Sequence, residues 1–163
     1  MNADRLNDLA ALDLWIKKVS SAGAVAILCG ENGDMDTVGS AIALAAAIPN
    51  GMACGLHRDK VAKRVTEILE APFRYLDKKR PELPRKLGGV ICVDAASPGQ
   101  VGIEIPDGIP ICIIDHHATS DWELGKEDLE LRWGTRATTQ IIFEYLQQYC
   151  PSALTNPVRK LLL

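Results

Sequence analysis

Three short, uninterrupted apolar runs constrain the fold of this chain more than any other feature of its sequence. They occupy residues 24–29, 90–93 and 109–114. Apolar runs of this length without polar alternation are typical of strands covered on both faces, as in a parallel sheet. Stretches with helical spacing of apolar residues separate them. The alternation predicts an α/β fold with an open, mostly parallel sheet and helices on both faces.

Weaker signals complete the predicted elements. Residues 52–56 predict a short strand, and the alternating residues 129–133 predict an edge strand. Asp59 is a candidate N-cap, and Asn156-Pro157 has the N-cap and first-turn proline of a last helix. The other predicted helices cover about residues 4–20, 38–48, 61–69 and 137–149. The 163 residues suit one domain, and because the chain stops inside its last predicted helix we expect a fragment.

The composition argues against several classes of protein. The net charge is -3, so the chain lacks the basic surface of proteins that bind long nucleic acids nonspecifically. No apolar run reaches 18 residues, so no membrane span is expected. The five cysteines are odd in number and form no C-x-x-C pair, and four of them lie in strand-like runs. This pattern favours reduced thiols and a cytoplasmic location.

Acidic residues follow three of the predicted strands. Asp34 and Asp36 come shortly after the first, Asp94 ends the third and Asp115-His116-His117 ends the fourth. The carboxyl ends of parallel strands meet at one edge of a sheet, where ligands bind. Crowded carboxylates raise each other's pKa values unless a cation neutralises them. Carboxylate oxygens with imidazole nitrogen suit Mn²⁺ or Mg²⁺, and such ions assist phosphoester hydrolysis.

The same residues resemble a known family. The stretch from Asp34 to Ser40, D-M-D-T-V-G-S, is similar to the D-x-D-x-x-G-S motif of the DHH phosphoesterases. Val93-Asp94 resembles their second motif, and Asp115-His116-His117 is the motif that names them. The ordered resemblance extends over about residues 24–163. It implies an N-terminal, Rossmann-like DHH domain without the family's second, substrate-binding domain.

The resemblance also implies a function and residue roles. It predicts a metal-dependent phosphoesterase that hydrolyses phosphoester or phosphoanhydride bonds of small nucleotides, short oligonucleotides or polyphosphate. The implied cofactor is a pair of Mn²⁺ ions, with Mg²⁺ as the alternative. A homodimer is left open, and no membrane partner is implied. The implied ligands are Asp34 for one ion, Asp36 and His116 for the other, and Asp94 between them.

Further roles follow from the same resemblance. Asp115 orients its neighbours as a supporting catalytic residue. His117 faces the substrate phosphate and is both catalytic and substrate-binding. Gly39 and Ser40 allow the start of the helix to approach the metals, and Ser40 is assigned to the substrate site.

Two departures from the family pattern bear on activity. The first motif of the family usually reads H-x-x-P-D, and its histidine is a metal ligand. This chain has Gly30 at the histidine position and Gly33 at the proline position. Glycine has no side chain to coordinate a metal, and Glu31, Asn32 and water are the candidates to replace the histidine. The sequence does not distinguish among them, so we expect this metal position to be weak or empty. The chain also ends before the family's later metal-binding aspartate and its second domain.

Three alternatives to a metal-dependent enzyme stay open. A degenerate DHH domain could act as a nucleotide-binding or regulatory module without hydrolysis. A Rossmann-like domain could bind nucleotide without metal, although the G-x-x-G of residues 30–33 is a weak signal. The acidic and histidine residues could be purely structural, with Asp34 or Asp36 capping a helix and His116-His117 forming a turn.

Overall fold

The computed structural model describes residues 1–163 and contains one open sheet of six strands, all parallel to their neighbours. The strand order is β3-β2-β1-β4-β5-β6. The predicted α/β fold with a parallel sheet is therefore confirmed. The strands are β1 (Ala24–Cys29), β2 (Gly51–Gly55), β3 (Arg74–Tyr75), β4 (Leu87–Val93), β5 (Ile111–Asp115) and β6 (Leu129–Arg132).

The helices differ from the predicted ones mainly at their ends. Residues before the predicted start at 38 are helical because Asp34 accepts a hydrogen bond from the Thr37 amide and caps the helix there. Asp59 is an N-cap as predicted, whereas Thr155, and not Asn156, caps the last helix. Strand β3 and the four-residue α4 were not predicted. The helices are α1 (Ala3–Ala22), α2 (Met35–Ala47), α3 (Lys60–Ile68), α4 (Pro98–Val101), α5 (Thr138–Tyr149) and α6 (Asn156–Leu161).

The sheet has a different kind of cover on each face. One face and the helices α1, α2, α5 and α6 form the larger core, in which Val25, Ile27 and Ile91 are fully buried. The opposite face has a smaller core, which contains Val101 of α4 and residues from the extended segments before and after that helix. Because both faces are covered, the central strands β1 and β4 contain only apolar residues and glycine, as the continuous apolar runs predicted, whereas the edge strand β6 alternates.

The strand order places a crevice at one edge of the sheet. From β1 the chain moves outward to β2 and β3, and then returns to add β4 on the other side of β1 before continuing to β5 and β6. This reversal separates the loops after β1 and β4, and ligands of open α/β sheets bind at such a point. Asp34 and Asp36 follow β1, and Asp94 follows β4. The fold thus brings the acidic residues to the expected edge.

Gly39 is required by the packing of α2 against α6. A Cβ at this position would lie 2.2 Å from the carbonyl oxygen of Leu161 in α6. We expect Gly39→Ala to lower the free energy of unfolding by about 1–3 kcal/mol, because the overpacking outweighs the better helix propensity of alanine. Urea unfolding measures the difference. Gly134→Ala is the control, since a Cβ there meets no atom within 4 Å. Equal stabilities of the two variants would contradict this explanation.

All five cysteines are free, and those in β1, β2, β4 and β5 are buried. None of the helices combines the length and apolar character that crossing a lipid bilayer requires.

Candidate metal centre

The first turn of α2 supplies two carboxylates with different partners. Asp34 accepts hydrogen bonds from the Thr37 amide at 3.1 Å and from the Asn32 side-chain amide at 3.1 Å. Asp36 instead accepts the backbone amides of Thr138 and Thr139, at 2.9 and 2.8 Å. These are the first residues of α5, whose N-cap position has no side-chain cap of its own. Asp36 therefore caps α5, whereas Asp34 caps α2 as the capping alternative expected, and capping is compatible with metal binding.

Thr37 ties the loop after β1 to the end of β4. Its hydroxyl accepts the Gly30 amide at 2.7 Å and donates to the Val93 carbonyl at 3.0 Å. The side chain is fully buried, so water cannot replace either bond. Thr37 thereby fixes the distance between the Asp34–Asp36 turn and Asp94.

Asp94 lies in a strained and buried position. Its φ of 57° is in the left-handed region, which few non-glycine residues adopt and which is common at functional sites. The side chain is 6% exposed, and one of its oxygens accepts a hydrogen bond from the Thr138 hydroxyl at 3.2 Å. Burial, and then the charges of Asp36 and Asp34, raise the pKa of Asp94 to about 7. A cation in the cluster would favour the ionised carboxylate.

His116 connects the two sides of the crevice. Its Nε2 lies 3.5 Å from an oxygen of Asp36 and 3.4 Å from an oxygen of Asp94. Its Nδ1 lies 3.3 Å from the carbonyl oxygen of Thr135. The tautomer that donates from Nδ1 to this carbonyl leaves the Nε2 lone pair free to coordinate a cation.

Asp115, His117 and Arg132 form a chain of charges beside His116, in which Asp115 is fully buried and His117 is exposed to solvent. One oxygen of Asp115 is 2.6 Å from His117 Nδ1, and the other accepts from Arg132 Nη1 at 2.5 Å. Burial alone would raise the pKa of Asp115, but the hydrogen bonds from His117 and Arg132 outweigh it and lower that pKa. The hydrogen bond to Asp115 in turn raises the pKa of His117. The chain therefore favours a proton on His117 Nδ1.

A polar cleft opens above the cluster. Its volume is about 430 Å³, and none of its lining side chains is hydrophobic. Asp94 and His117 form part of its wall, so the buried cluster is reachable from solvent on this side. The other lining residues are Gly30, Glu31, Asn32, Gly99 and Gln100.

The predicted site residues are not all brought to this cleft. His116 Nε2 lies within 3.5 Å of an oxygen of Asp36 and of an oxygen of Asp94, whereas Asp34 accepts a hydrogen bond from Asn32. Ser40 is fully buried in α2, and its hydroxyl has no hydrogen-bond partner. It does not line the cleft, so its assignment to substrate stays a prediction that the cleft does not support.

Two participating residues were missed from the sequence. Arg132 ends β6 and is paired in register with Asp115 of β5. The strand-end argument that selected the aspartates applies to it equally. Thr138 contacts both Asp36 and Asp94 at the start of α5, but no local pattern distinguishes it from the neighbouring Thr139.

The donor set fits a divalent cation. Asp94, His116 and His117 each place one ligand atom within 4.8 Å of the other two. Asp36 adds a carboxylate 3.5 Å from His116 Nε2. The cluster contains no cysteine, and the nearby Cys29 thiol donates to the Thr37 carbonyl instead. A set of oxygen and imidazole nitrogen ligands suits Mn²⁺ better than it suits thiophilic metals.

The fold and this cluster define a parallel α/β domain with a carboxylate–imidazole centre at the strand ends. The chain belongs to the DHH family, because its residues 24–163 match the family model described as "DHH family, N-terminal domain". Helix α1 precedes the matched residues. The resemblance in the motifs is thereby confirmed at the level of the family.

A solved structure is similar to this fold. It is an exopolyphosphatase-related protein from Bacteroides fragilis, with a TM-score of 0.57 and 11% sequence identity. The alignment covers 96% of this chain and 48% of that one, so the chain spans about half the length of that protein. At this identity the likeness supports the fold alone. No curated protein sequence matches the chain.

Proposed function

We propose that this domain binds divalent cations, Mn²⁺ or Mg²⁺, and hydrolyses phosphoester or phosphoanhydride bonds. The substrates proposed are small nucleotides, short oligonucleotides or polyphosphate. The observation that carries the proposal is the position of His116 Nε2, 3.5 Å from Asp36 and 3.4 Å from Asp94. Three separate strand ends meet there, in a member of the DHH family.

The proposed roles are those that the family resemblance implies. Asp36 and His116 would hold one cation, Asp34 would hold the other, and Asp94 would serve as a ligand to both. Bound divalent cations supply charge that polarises a phosphoryl group and favours ionisation of an attacking water. The protein contributes rigid ligands, because Asp36 is bonded to two amides of α5 and Asp94 to Thr138.

His117 is proposed to bind and protonate the substrate. Its side chain lines the cleft, and Asp115 holds its Nδ1 proton. The ring therefore presents Nε2 as the free nitrogen, which in the protonated ring donates to a phosphate oxygen or to a leaving group. Arg132 fixes Asp115 from the other side, so it is a positioning residue for His117.

The location and partners are proposed with the activity. Five free cysteines, four of them buried in strands, support a reducing cytoplasm. A cleft with polar walls and a volume of about 430 Å³ suits a small phosphorylated molecule or the end of a short oligonucleotide.

Calorimetric titration of the protein with Mn²⁺ tests metal binding. We expect the wild-type chain to bind Mn²⁺ and Asp94→Asn to weaken this binding by about 100-fold. Loss of a residue that only supports a metal ligand already weakens metal affinity by about 10- to 100-fold, and Asp94 is proposed as a ligand itself. Asparagine tolerates the left-handed backbone at this position, so the fold is retained. Asp107→Asn is the control, because it makes the same change from carboxylate to carboxamide at an exposed residue in the loop before β5. Absence of binding by the wild type, with either Mn²⁺ or Mg²⁺, would reject the proposal.

One observation favours a second candidate, a binding module without hydrolysis. Gly30 lacks the imidazole that the family has at this position. Hydrolysis of inorganic polyphosphate and of a dinucleotide, measured with Mn²⁺ bound, separates the two candidates. Turnover by the wild type favours the enzyme, and Mn²⁺ binding without turnover favours the binding module.

A further inference from the structure

The space beside Gly30 is lined by oxygen atoms. A Cβ built on Gly30 would lie 3.0 Å from the carbonyl oxygen of Asp94, 3.2 Å from Asn32 Oδ1 and 3.6 Å from Thr37 Oγ1. Any larger side chain at residue 30 would therefore have to displace the Asn32 carboxamide. The Asn32 carboxamide thus borders the space that a side chain at residue 30 would need.

The loop that carries Asn32 is fixed from both sides. Gly33 has a φ of 62°, and its carbonyl accepts the Asp59 amide at 2.7 Å. Proline cannot adopt this φ, and a Cβ there would lie 2.3 Å from the His57 carbonyl oxygen. On the opposite side, the Glu31 amide donates to the Gln100 carbonyl at 2.6 Å. The backbone around Asn32 is thus anchored to the β2–α3 loop and to α4.

The orientation of the Asn32 carboxamide follows from its neighbours. Its Nδ2 donates to an oxygen of Asp34 at 3.1 Å, and the reverse orientation would place two oxygens against each other. Oδ1 therefore faces the Gly30 side, in the cleft that Asp94 and His117 also line. The Asn32 carboxamide thus presents a neutral oxygen to the cleft, while its nitrogen contacts Asp34, a carboxylate that is not paired with either histidine of the cluster.

We propose that Asn32 Oδ1 is a ligand of the cation held by Asp34. This inference rests on the proposed metal-dependent function and deepens it. The Asp34 side of the centre then has only oxygen ligands, from Asp34, Asn32 and Asp94, whereas the Asp36 side has the His116 imidazole. All-oxygen ligand sets suit Mg²⁺, and imidazole shifts preference toward Mn²⁺ and later transition metals. The two positions therefore differ in metal selectivity, with Mg²⁺ on the Asp34 side.

Titration calorimetry of the purified chain with Mg²⁺, and separately with Mn²⁺, tests this assignment. We expect Asn32→Ala to weaken Mg²⁺ binding by about tenfold or more, and to leave the tightest Mn²⁺ binding, on the His116 side, unchanged. Asn32 is exposed, so its loss should not unfold the protein, which thermal melting checks. Glu31→Gln is the matched control in the same loop, because it removes a cleft-lining charge and keeps the shape.

Asn32→Asp separates coordination from simple support of Asp34. Aspartate cannot donate to Asp34 but offers an oxygen to a cation, so Mg²⁺ binding as tight as in the wild type, or tighter, supports coordination. Weakening as large as that in Asn32→Ala would assign Asn32 only to holding Asp34 and overturn the proposal. Unchanged Mg²⁺ binding in Asn32→Ala, or an equal loss in Glu31→Gln, would also overturn it. In each of these cases wild-type binding still supports the proposed function, whereas a wild type that binds no cation rejects both.

Discussion

Thr37→Val is expected to lower the free energy of unfolding by about 2–4 kcal/mol, although the two side chains have nearly the same shape. The substitution removes the acceptor of the Gly30 amide and the donor to the Val93 carbonyl. Each buried polar group left without a partner costs about 1–3 kcal/mol. Thr37 is fully buried, so solvent cannot compensate. Urea unfolding followed by circular dichroism measures the loss.

Thr37→Ser is the matched variant for this prediction. It keeps the hydroxyl and both hydrogen bonds and loses one buried methyl group, for which we expect about 1 kcal/mol. A valine variant as stable as the serine variant would show that the two hydrogen bonds contribute little. The link between the ends of β1 and β4 would then depend on packing alone.

Arg132→Met is the second substitution with a large expected effect. Arg132 donates to Asp115 and also to the carbonyl oxygens of His117 and Thr119, at 2.5, 2.8 and 2.8 Å. Its loss leaves the fully buried carboxylate of Asp115 with His117 as its one ion-pair partner. Breaking a buried pair costs about 3–5 kcal/mol, and we expect about 2–3 kcal/mol here because the Arg132 side chain is 18% exposed. Methionine preserves the apolar stem, so the measured change in unfolding free energy reports the lost guanidinium.

Glu130→Gln provides the comparison for Arg132. Glu130→Gln removes the charge of the other carboxylate that pairs with the Arg132 guanidinium. The Glu130 side chain is 28% exposed. Partly exposed pairs contribute about 0–1 kcal/mol, so this variant is expected to stay close to the wild type. If both variants lost the same stability, the buried partner Asp115 would not be the source of the effect.

The sequence predicted the parts of this protein that depend on local patterns. Apolar runs identify β1, β4 and β5 because a strand covered on both faces has no polar alternation. The aspartates after β1 and β4 were found because topology forces strand ends to one edge, whatever the length of the chain between them. The sheet and the approximate position of the cluster follow from these two facts.

Long-range contacts account for what the sequence did not predict. Asp36 is a cap for α5, over a hundred residues away, and nothing near Asp36 in the sequence indicates this. Gly39 resembled a residue needed near metals, but the atom that excludes a side chain is the carbonyl of Leu161. Asn32 was one of several candidates to replace an imidazole, and only the spatial neighbours of Gly30 distinguish it.

The double use of Asp36 has a consequence for how the domain responds to its ligands. Both oxygens of this carboxylate close the first turn of α5, and one of them also faces His116. The side chain cannot rotate toward an incoming ion without releasing two amides of the helix. We therefore expect the proposed cation to bind this carboxylate in its present orientation, and to leave the positions of α2 and α5 unaltered.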